Sequence, residues 1–217
     1  MLIAGGDSFT WGNELPDCDE SRFSRLSWSA LLAERLSMTY NCVAEGGASN
    51  QTIARKVMEA VDSDTKMVAI MWTFPVRHEL SLRQDHATVL GKPYLNISPW
   101  HATCTDRDVT GLAIDRYAYH LMQLASHEHH EQQSMLSIYA LQNFLRARNI
   151  PYVFHSSTVQ LYEMMDKNTL LAREIRSEDW FRNREGFYDW SKARGYEMSE
   201  LGHPVAQAHR DWIDVVV

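Results

Sequence analysis

A serine stands where a buried strand is expected to end, in the stretch LIAGGDSFTWG at residues 2–12. Three apolar residues pass there into a glycine pair, and Asp7 and Ser8 follow. A serine at such a point can cap a helix, help to cradle a phosphate, or act as a nucleophile. The stretch matches neither G-x-G-x-x-G nor G-x-x-x-x-G-K-S, no lysine follows it, and Asp7 would repel an anion, so the phosphate cradle is disfavoured.

A histidine near the other end of the chain favours the nucleophile. Residues 197–206 read EMSELGHPVA, in which Glu200 precedes His203 by three residues. A histidine that takes a proton from a serine needs an acceptor on its other ring nitrogen, and a nearby carboxylate supplies one. A histidine that only caps the start of the last helix is the structural alternative.

Together these segments resemble the SGNH (GDSL-type) hydrolase family. The resemblance rests on GDSFTWG, on the glycine-bearing GGASN, and on the acid-x-x-His-Pro near the C-terminus. It implies an α/β three-layer sandwich with a parallel central sheet, flavodoxin-like, and ester hydrolysis through an acyl-enzyme without a cofactor. Ser8 would be the nucleophile and His203 the general base and then acid. Glu200 stands in the place of the family's aspartate and is one methylene longer.

The resemblance also implies hydrogen-bond donors for an oxyanion. These are the backbone N–H of Ser8 and that of a glycine, for which Gly47 is favoured over Gly46 because it directly precedes ASN. The family's third block, Gly-x-Asn-Asp, is missing, and the loop after the third strand reads MWTFPVRHE. Losing one such donor costs roughly 3 kcal/mol of transition-state stabilisation, so we expect a replacement. The candidates, in order of their chemistry, are Asn50, Thr73 and Arg77.

Four residues on the predicted site loops are candidate substrate contacts: Asp7, Trp11, Trp72 and Arg77. The two tryptophans could form an apolar wall for an acyl group or a stacking face for a sugar, although most tryptophans belong to the core. Arg77 could clamp an acidic group of the substrate, or it could pair with Glu79 on the surface. Ser49 is expected to cap the helix that follows it rather than to act as a second nucleophile.

The histidine-rich stretch HEHHE, from His127 to Glu131, raises the alternative of a metal-dependent phosphoesterase. The stretch is not H-E-x-x-H, and no motif places a third ligand, so a solvated helix start is the simpler interpretation. A second alternative is a catalytically degenerate module that binds a glycan or acyl ligand, since the third-block asparagine is absent. The ester hydrolase itself is expected to need no metal.

Short apolar runs without alternation predict strands of a parallel sheet covered on both faces. These runs are Leu2–Ala4, Thr39–Val43, Met67–Trp72 and Tyr152–Phe154. Helical periodicity lies between and after them, at residues 28–36, 53–61, 135–145 and 205–212. The carboxyl ends of parallel strands meet at one edge of the sheet, where ligands bind. The polar stretches after the four strands therefore predict a single site.

The chain of 217 residues is expected to form one domain, residues 1–217. Its least regular part, about residues 78–131, is too long for a simple connection and is interpreted as an insertion with one short helix near Ile114–Ala125. A net charge of −7 argues mildly against nucleic acid as a partner.

The three cysteines, Cys18, Cys42 and Cys104, form no C-x-x-C pair, which favours a reducing compartment. No signal peptide or membrane-length apolar run is found in the sequence. We therefore expect a cytoplasmic protein, or one released without an N-terminal export signal, with no membrane partner. The expected substrate is a small-molecule or glycan ester, with an acetyl ester of a carbohydrate preferred on resemblance alone. The oligomeric state is left open.

Overall fold

A computed structural model describes residues 1–19, 21–99, 114–167, 169–175, 180 and 184–216. A parallel sheet of four strands, in the order β2-β1-β3-β6, lies at its centre. Its strands are β1 (Leu2–Gly5), β2 (Tyr40–Cys42), β3 (Met67–Trp72) and β6 (Tyr152–Ser156). A separate antiparallel pair consists of β4 (His78–Ser81) and β5 (Tyr94–Ile97). The four strands predicted from apolar runs are confirmed, and β3 has the predicted bounds.

Helices alternate with these strands along the described part of the chain. They are α1 (Ser8–Trp11), α2 (Trp28–Arg35), α3 (Asn50–Ala60), α4 (Gln84–Leu90), α5 (Ile114–Leu124), α6 (His127–Ala147), α7 (Gln160–Asp166), α8 (Leu170–Glu174), α9 (Phe187–Ala193) and α10 (Ala206–Val216). The predicted helices correspond to α2, α3, α5, α6 and α10. Helix α6 begins earlier than its apolar period indicated, because Ser126 caps it by accepting a hydrogen bond from the backbone N–H of His129.

Apolar side chains of the parallel sheet point to both faces, as the unbroken apolar runs predicted. On one face, Ile3, Ile70 and Phe154 pack with the apolar sides of α3 and α6. On the other face, Leu2 and Met71 pack with residues of α2, α9 and α10. Two helical layers therefore enclose the sheet, and the predicted α/β three-layer sandwich is confirmed.

The glycine pair after β1 allows the chain to turn sharply into α1. A Cβ at Gly5 would lie 2.5 Å from Cγ2 of Val57, and a Cβ at Gly6 would lie 2.0 Å from Oγ1 of Thr10. Any larger residue would therefore push α3 or α1 away from the sheet. This close packing fixes Ser8 directly above the end of the central strand.

The segment interpreted as an insertion contains β4, α4, β5, α5 and the first turns of α6. The hairpin β4–β5 was missed in the sequence, because HELS and YLNI are short and half polar. Glu79 on β4 anchors the hairpin to α3 by accepting hydrogen bonds from Arg55 Nε at 3.0 Å and Thr52 Oγ1 at 2.9 Å. Cys104 lies outside the described residues. Within the described ranges, no helix combines the length and the apolar character that a membrane crossing requires.

A buried histidine makes the stability of this fold dependent on pH. His209 on α10 is 1% exposed, and burial lowers its pKa to about 3. Its Nδ1 accepts a hydrogen bond from the backbone N–H of Trp28 at 3.0 Å, which requires that nitrogen to be unprotonated. In the unfolded chain the same histidine takes up a proton near pH 6.5. The unfolded state then binds more protons, so the free energy of unfolding falls as the pH falls from about 6.5 towards 3.

We expect His209→Gln to flatten this pH dependence by up to about 1.4 kcal/mol per pH unit, the free energy of one proton. Urea denaturation of both proteins between about pH 7 and pH 4.5 measures the two slopes. His120 is exposed, so His120→Gln is the matched control and should keep the slope of the parent protein. An identical slope in His209→Gln would show that His209 does not contribute to the pH dependence.

Candidate active site

Ser8 is the first residue of α1, at the carboxyl end of β1. The cap of α1 is Asp7, whose Oδ1 accepts a hydrogen bond from the backbone N–H of Phe9 at 3.1 Å. Capping is therefore the role of Asp7, and the interpretation of Ser8 as a helix cap is wrong. The hydroxyl and the backbone N–H of Ser8 make no hydrogen bond to any residue that the structure describes. Ser8 itself is 8% exposed.

The imidazole of His203 lies beside the serine turn. Its ring packs edge-on against the ring of Phe9, the neighbour of Ser8, with ring centroids 5.5 Å apart. Its Nδ1 forms a hydrogen bond with a carboxylate oxygen of Glu14. No partner of Nε2 is found among the residues with described positions, so this nitrogen is available for proton transfer. The two distant segments that carry the family resemblance therefore meet in one place.

Glu14 is held in place by the loop that carries His203. Its Oε1 accepts a hydrogen bond from the backbone N–H of Leu201 at 3.2 Å, and its Oε2 accepts one from Ser199 Oγ at 2.5 Å. Burial raises the pKa of Glu14, but the hydrogen bonds from His203, Ser199 and Leu201 outweigh it and leave the pKa below its usual value. The carboxylate is therefore charged at neutral pH and can orient the imidazole.

Glu200, the acid expected from the sequence, does not contact His203. Its residue is exposed, and no hydrogen bond joins it to the imidazole within the described part of the chain. A tight turn separates the two residues: Ser199 N donates to the carbonyl of His203 at 2.8 Å, and Gly202 has a φ of +85°. This turn directs Glu200 towards solvent, and Glu14 takes the position expected for it.

Asp7 is fully buried and therefore lies out of reach of a substrate. Its Oδ2 accepts hydrogen bonds from Thr73 Oγ1 at 2.7 Å and from Arg77 Nη1 at 2.9 Å. Arg77 does not pair with Glu79, because Glu79 is occupied by Arg55. The positive charge of Arg77 is thus placed at the turn that carries Ser8.

Asn50, the first-ranked oxyanion donor, uses its whole amide within the protein. Its Nδ2 donates to the carbonyl of Thr73 and to Ser134 Oγ, both at 3.0 Å, and its Oδ1 accepts from the Thr73 N–H at 2.8 Å. The Thr73 hydroxyl, which ranked second, donates to Asp7. Both residues support the loop after β3 and have no free proton for an oxyanion.

Gly47 lies in an exposed turn with a φ of +72°, and its backbone N–H has no partner in the described structure. This left-handed conformation is one that glycine adopts without strain. Ser49, two residues on, caps α3 by accepting a hydrogen bond from Thr52 N at 3.2 Å, so its predicted role is confirmed.

The two tryptophans proposed as substrate walls differ in their surroundings. Trp72 is fully buried and packs edge-to-face on Phe154 with ring centroids 5.2 Å apart, so it belongs to the core. Trp11 is half-buried and lines a cleft with a volume of about 620 Å³, together with Glu14, Gly46 and Leu201. Of the two tryptophans, only Trp11 lies where a ligand bound in this cleft could contact it.

The HEHHE stretch forms the first turns of α6. Glu131 is buried and accepts from Lys167 Nζ at 2.6 Å, while His127 contacts the same carboxylate at 3.0 Å. His130 contacts His78, and burial lowers the pKa of His78 to about 4. No three potential metal-ligating side chains are arranged around a common point in the described ranges. The cluster therefore packs α6 against β4 and the end of α7.

Solved structures of two other proteins share this fold. TesA aligns with a TM-score of 0.55 and 12% identity, over 99% of this chain and 94% of TesA. Phospholipase A1 from Streptomyces albidoflavus NA297 aligns with a TM-score of 0.52 and 14% identity, over 99% of this chain and 96% of that enzyme. No protein-family model and no curated protein sequence matches the chain. The likeness confirms the fold that the resemblance to SGNH hydrolases implied.

The contact between Glu14 and His203 predicts a low-field proton resonance in the NMR spectrum. A proton on Nδ1 shared with a carboxylate resonates downfield of the backbone amides, and we expect Glu14→Gln to remove this signal. Loss of the charged acceptor should also lower the free energy of unfolding by about 1 kcal/mol, since the site is partly exposed. Glu200→Gln, the matched control, should retain both. A signal lost in Glu200→Gln and kept in Glu14→Gln would reverse the assignment.

Proposed function

We propose that this protein is a serine-dependent carboxylic ester hydrolase that works through an acyl-enzyme. The observation that supports it most is the Glu14–His203 pair, packed against Phe9 at the turn that carries Ser8. Acyl transfer to a serine needs a free hydroxyl, a base, and a group that orients the base. We assign these three roles to Ser8, His203 and Glu14.

In the proposed reaction, His203 Nε2 removes the proton of Ser8 Oγ as the oxygen attacks the ester carbonyl. The Glu14 carboxylate stabilises the imidazolium that forms and fixes the ring orientation. His203 then gives the proton to the departing alcohol, which leaves an acyl group on Ser8. A water molecule attacks the acyl-enzyme with His203 as the base, and the carboxylic acid is released.

The negative oxygen of the tetrahedral intermediate would be held by the N–H groups of Ser8 and Gly47. Both groups are free of protein acceptors in the described structure. A buried carboxylate so near an oxyanion would oppose it, but Asp7 is neutralised by Arg77 at 2.9 Å. Pairing inside the site thus removes a repulsion that would otherwise raise the barrier.

For the substrate, we propose a small acyl ester, with an acetyl group on a carbohydrate as the preferred candidate. The cleft beside Glu14 offers the indole of Trp11 as a stacking surface, and Asn13 and Glu45 as polar groups for hydroxyls. One of the similarly folded proteins is a phospholipase A1, so the fold by itself does not select the ester. The choice of a carbohydrate ester is supported by Trp11, Asn13 and Glu45, which line the cleft.

Labelling with a fluorophosphonate, read by intact-mass analysis, tests the proposed nucleophile. We expect one adduct on the parent protein and none on Ser8→Ala. Labelling of His203→Ala and Glu14→Gln should slow by about 10²- to 10⁴-fold, because the base is lost or no longer oriented. Glu200→Gln is the matched control and should react within about twofold of the parent protein.

Other outcomes would favour the alternatives. A folded parent protein without any adduct would support the degenerate binding module. Ester or phosphoester hydrolysis that a chelator abolishes and Ser8→Ala leaves intact would support the metal-dependent phosphoesterase. That alternative has little structural support, because the carboxylate of Glu131 is already paired with Lys167.

A further inference from the structure

The loop after β3 contains no asparagine that could supply the side-chain amide that SGNH hydrolases direct at the oxyanion. Asn50 and Thr73 stand nearby, but their donor protons are used inside the protein. Arg77 differs from both. Its Nη1 donates to Asp7 and Thr73, while its Nε and Nη2 protons have no acceptor among the residues placed by the structure. Its side chain is 19% exposed, and its guanidinium carbon lies 5.0 Å from the centre of the Phe74 ring.

Arg77 contacts the neighbours of both backbone donors. Nη1 lies 2.9 Å from Oδ2 of Asp7, which precedes Ser8, and 3.5 Å from the carbonyl of Ala48, which follows Gly47. The guanidinium therefore lies between the two turns whose N–H groups would bind the oxyanion. Three contacts of one nitrogen also hold the planar group in a fixed orientation.

We infer that Arg77 is the side-chain oxyanion donor of this enzyme, in place of the missing asparagine. This inference rests on the proposed function. The free edge of the guanidinium would donate to the negative oxygen, and Asp7 would hold the opposite edge. Unlike an amide, the guanidinium carries a permanent positive charge, so it stabilises the oxyanion by charge as well as by hydrogen bonding.

If Arg77 only stabilised the fold, its variants would lose activity because they unfold and not because the oxyanion loses a donor. A buried carboxylate left without its cation strongly destabilises a protein, so Arg77→Ala alone could lose activity by losing the fold. The double variant Asp7→Asn/Arg77→Ala removes the charge that needs neutralising. Asparagine at position 7 can still cap α1 through its Oδ1, and its Nδ2 can donate to Thr73 Oγ1, which Arg77 no longer contacts in the double variant.

The experiment measures kcat and KM for p-nitrophenyl acetate, together with thermal unfolding, in the parent protein and its variants. We expect the double variant to regain most of the thermal stability lost in Arg77→Ala, with kcat still about 10²- to 10³-fold below the parent value. KM should change by less than about threefold, because the contact forms only in the transition state. Added methylguanidinium should restore part of kcat in the double variant and none in Ser8→Ala. Arg83→Ala, at an exposed arginine, is the matched control and should retain the parent kcat.

A double variant with the parent kcat would overturn the inference, because neutralising Asp7 would then be all that Arg77 does. If the double variant does not fold, Arg77→Lys decides. A lysine ammonium can pair with Asp7 but has no second arm for the oxyanion, so kcat should fall at least about tenfold with little change in Tm. Parent kcat in Arg77→Lys would overturn the inference. A parent protein that neither hydrolyses the ester nor labels with fluorophosphonate would overturn the proposed function itself.

Discussion

The buried carboxylate of Asp7 is the constraint on which the site depends. An ion removed from water costs several kcal/mol unless other groups replace its hydration. Here the replacements come from different parts of the chain: the N–H of Phe9 in α1, and the side chains of Thr73 and Arg77 after β3. The requirement to satisfy one charge therefore fixes the serine turn against the loop of the neighbouring strand. Asn50 extends the same network to α3 through its bonds with Thr73.

The elements that position the site could be predicted because they depend on local patterns. An unbroken apolar run such as Met67–Trp72 specifies a strand buried on both faces, and it has the same bounds in the structure. The edge of the sheet where ligands bind then follows from topology. Ser8 and His203 could be proposed together because each stands in a recognisable local motif, and the structure places them at the same edge.

The partners of these residues could not be predicted, because they depend on side-chain directions in three dimensions. Glu14 lies six residues after Ser8 in an unremarkable loop, and its contact with His203 joins positions 189 residues apart. Glu200 has the expected spacing, but a turn of one particular geometry sends it to solvent. The hydrogen bonds of Asn50 could not be predicted for a similar reason: it is chemically the best oxyanion donor of the three candidates, yet buried hydrogen bonds use both of its amide protons.

The position of Glu14 in the sequence determines when the three residues of the proposed site can come together during synthesis. An acid close to the base in sequence would emerge from the ribosome with it, whereas Glu14 emerges soon after Ser8 and His203 follows 189 residues after Glu14. In the assignment proposed above, a nascent chain carries a serine and a carboxylate with no imidazole between them. The hydroxyl of Ser8 stays unreactive until α10 packs beside α2 and the preceding loop places His203 next to the turn that carries Ser8. Chemical competence and completed folding would therefore arrive in the same step.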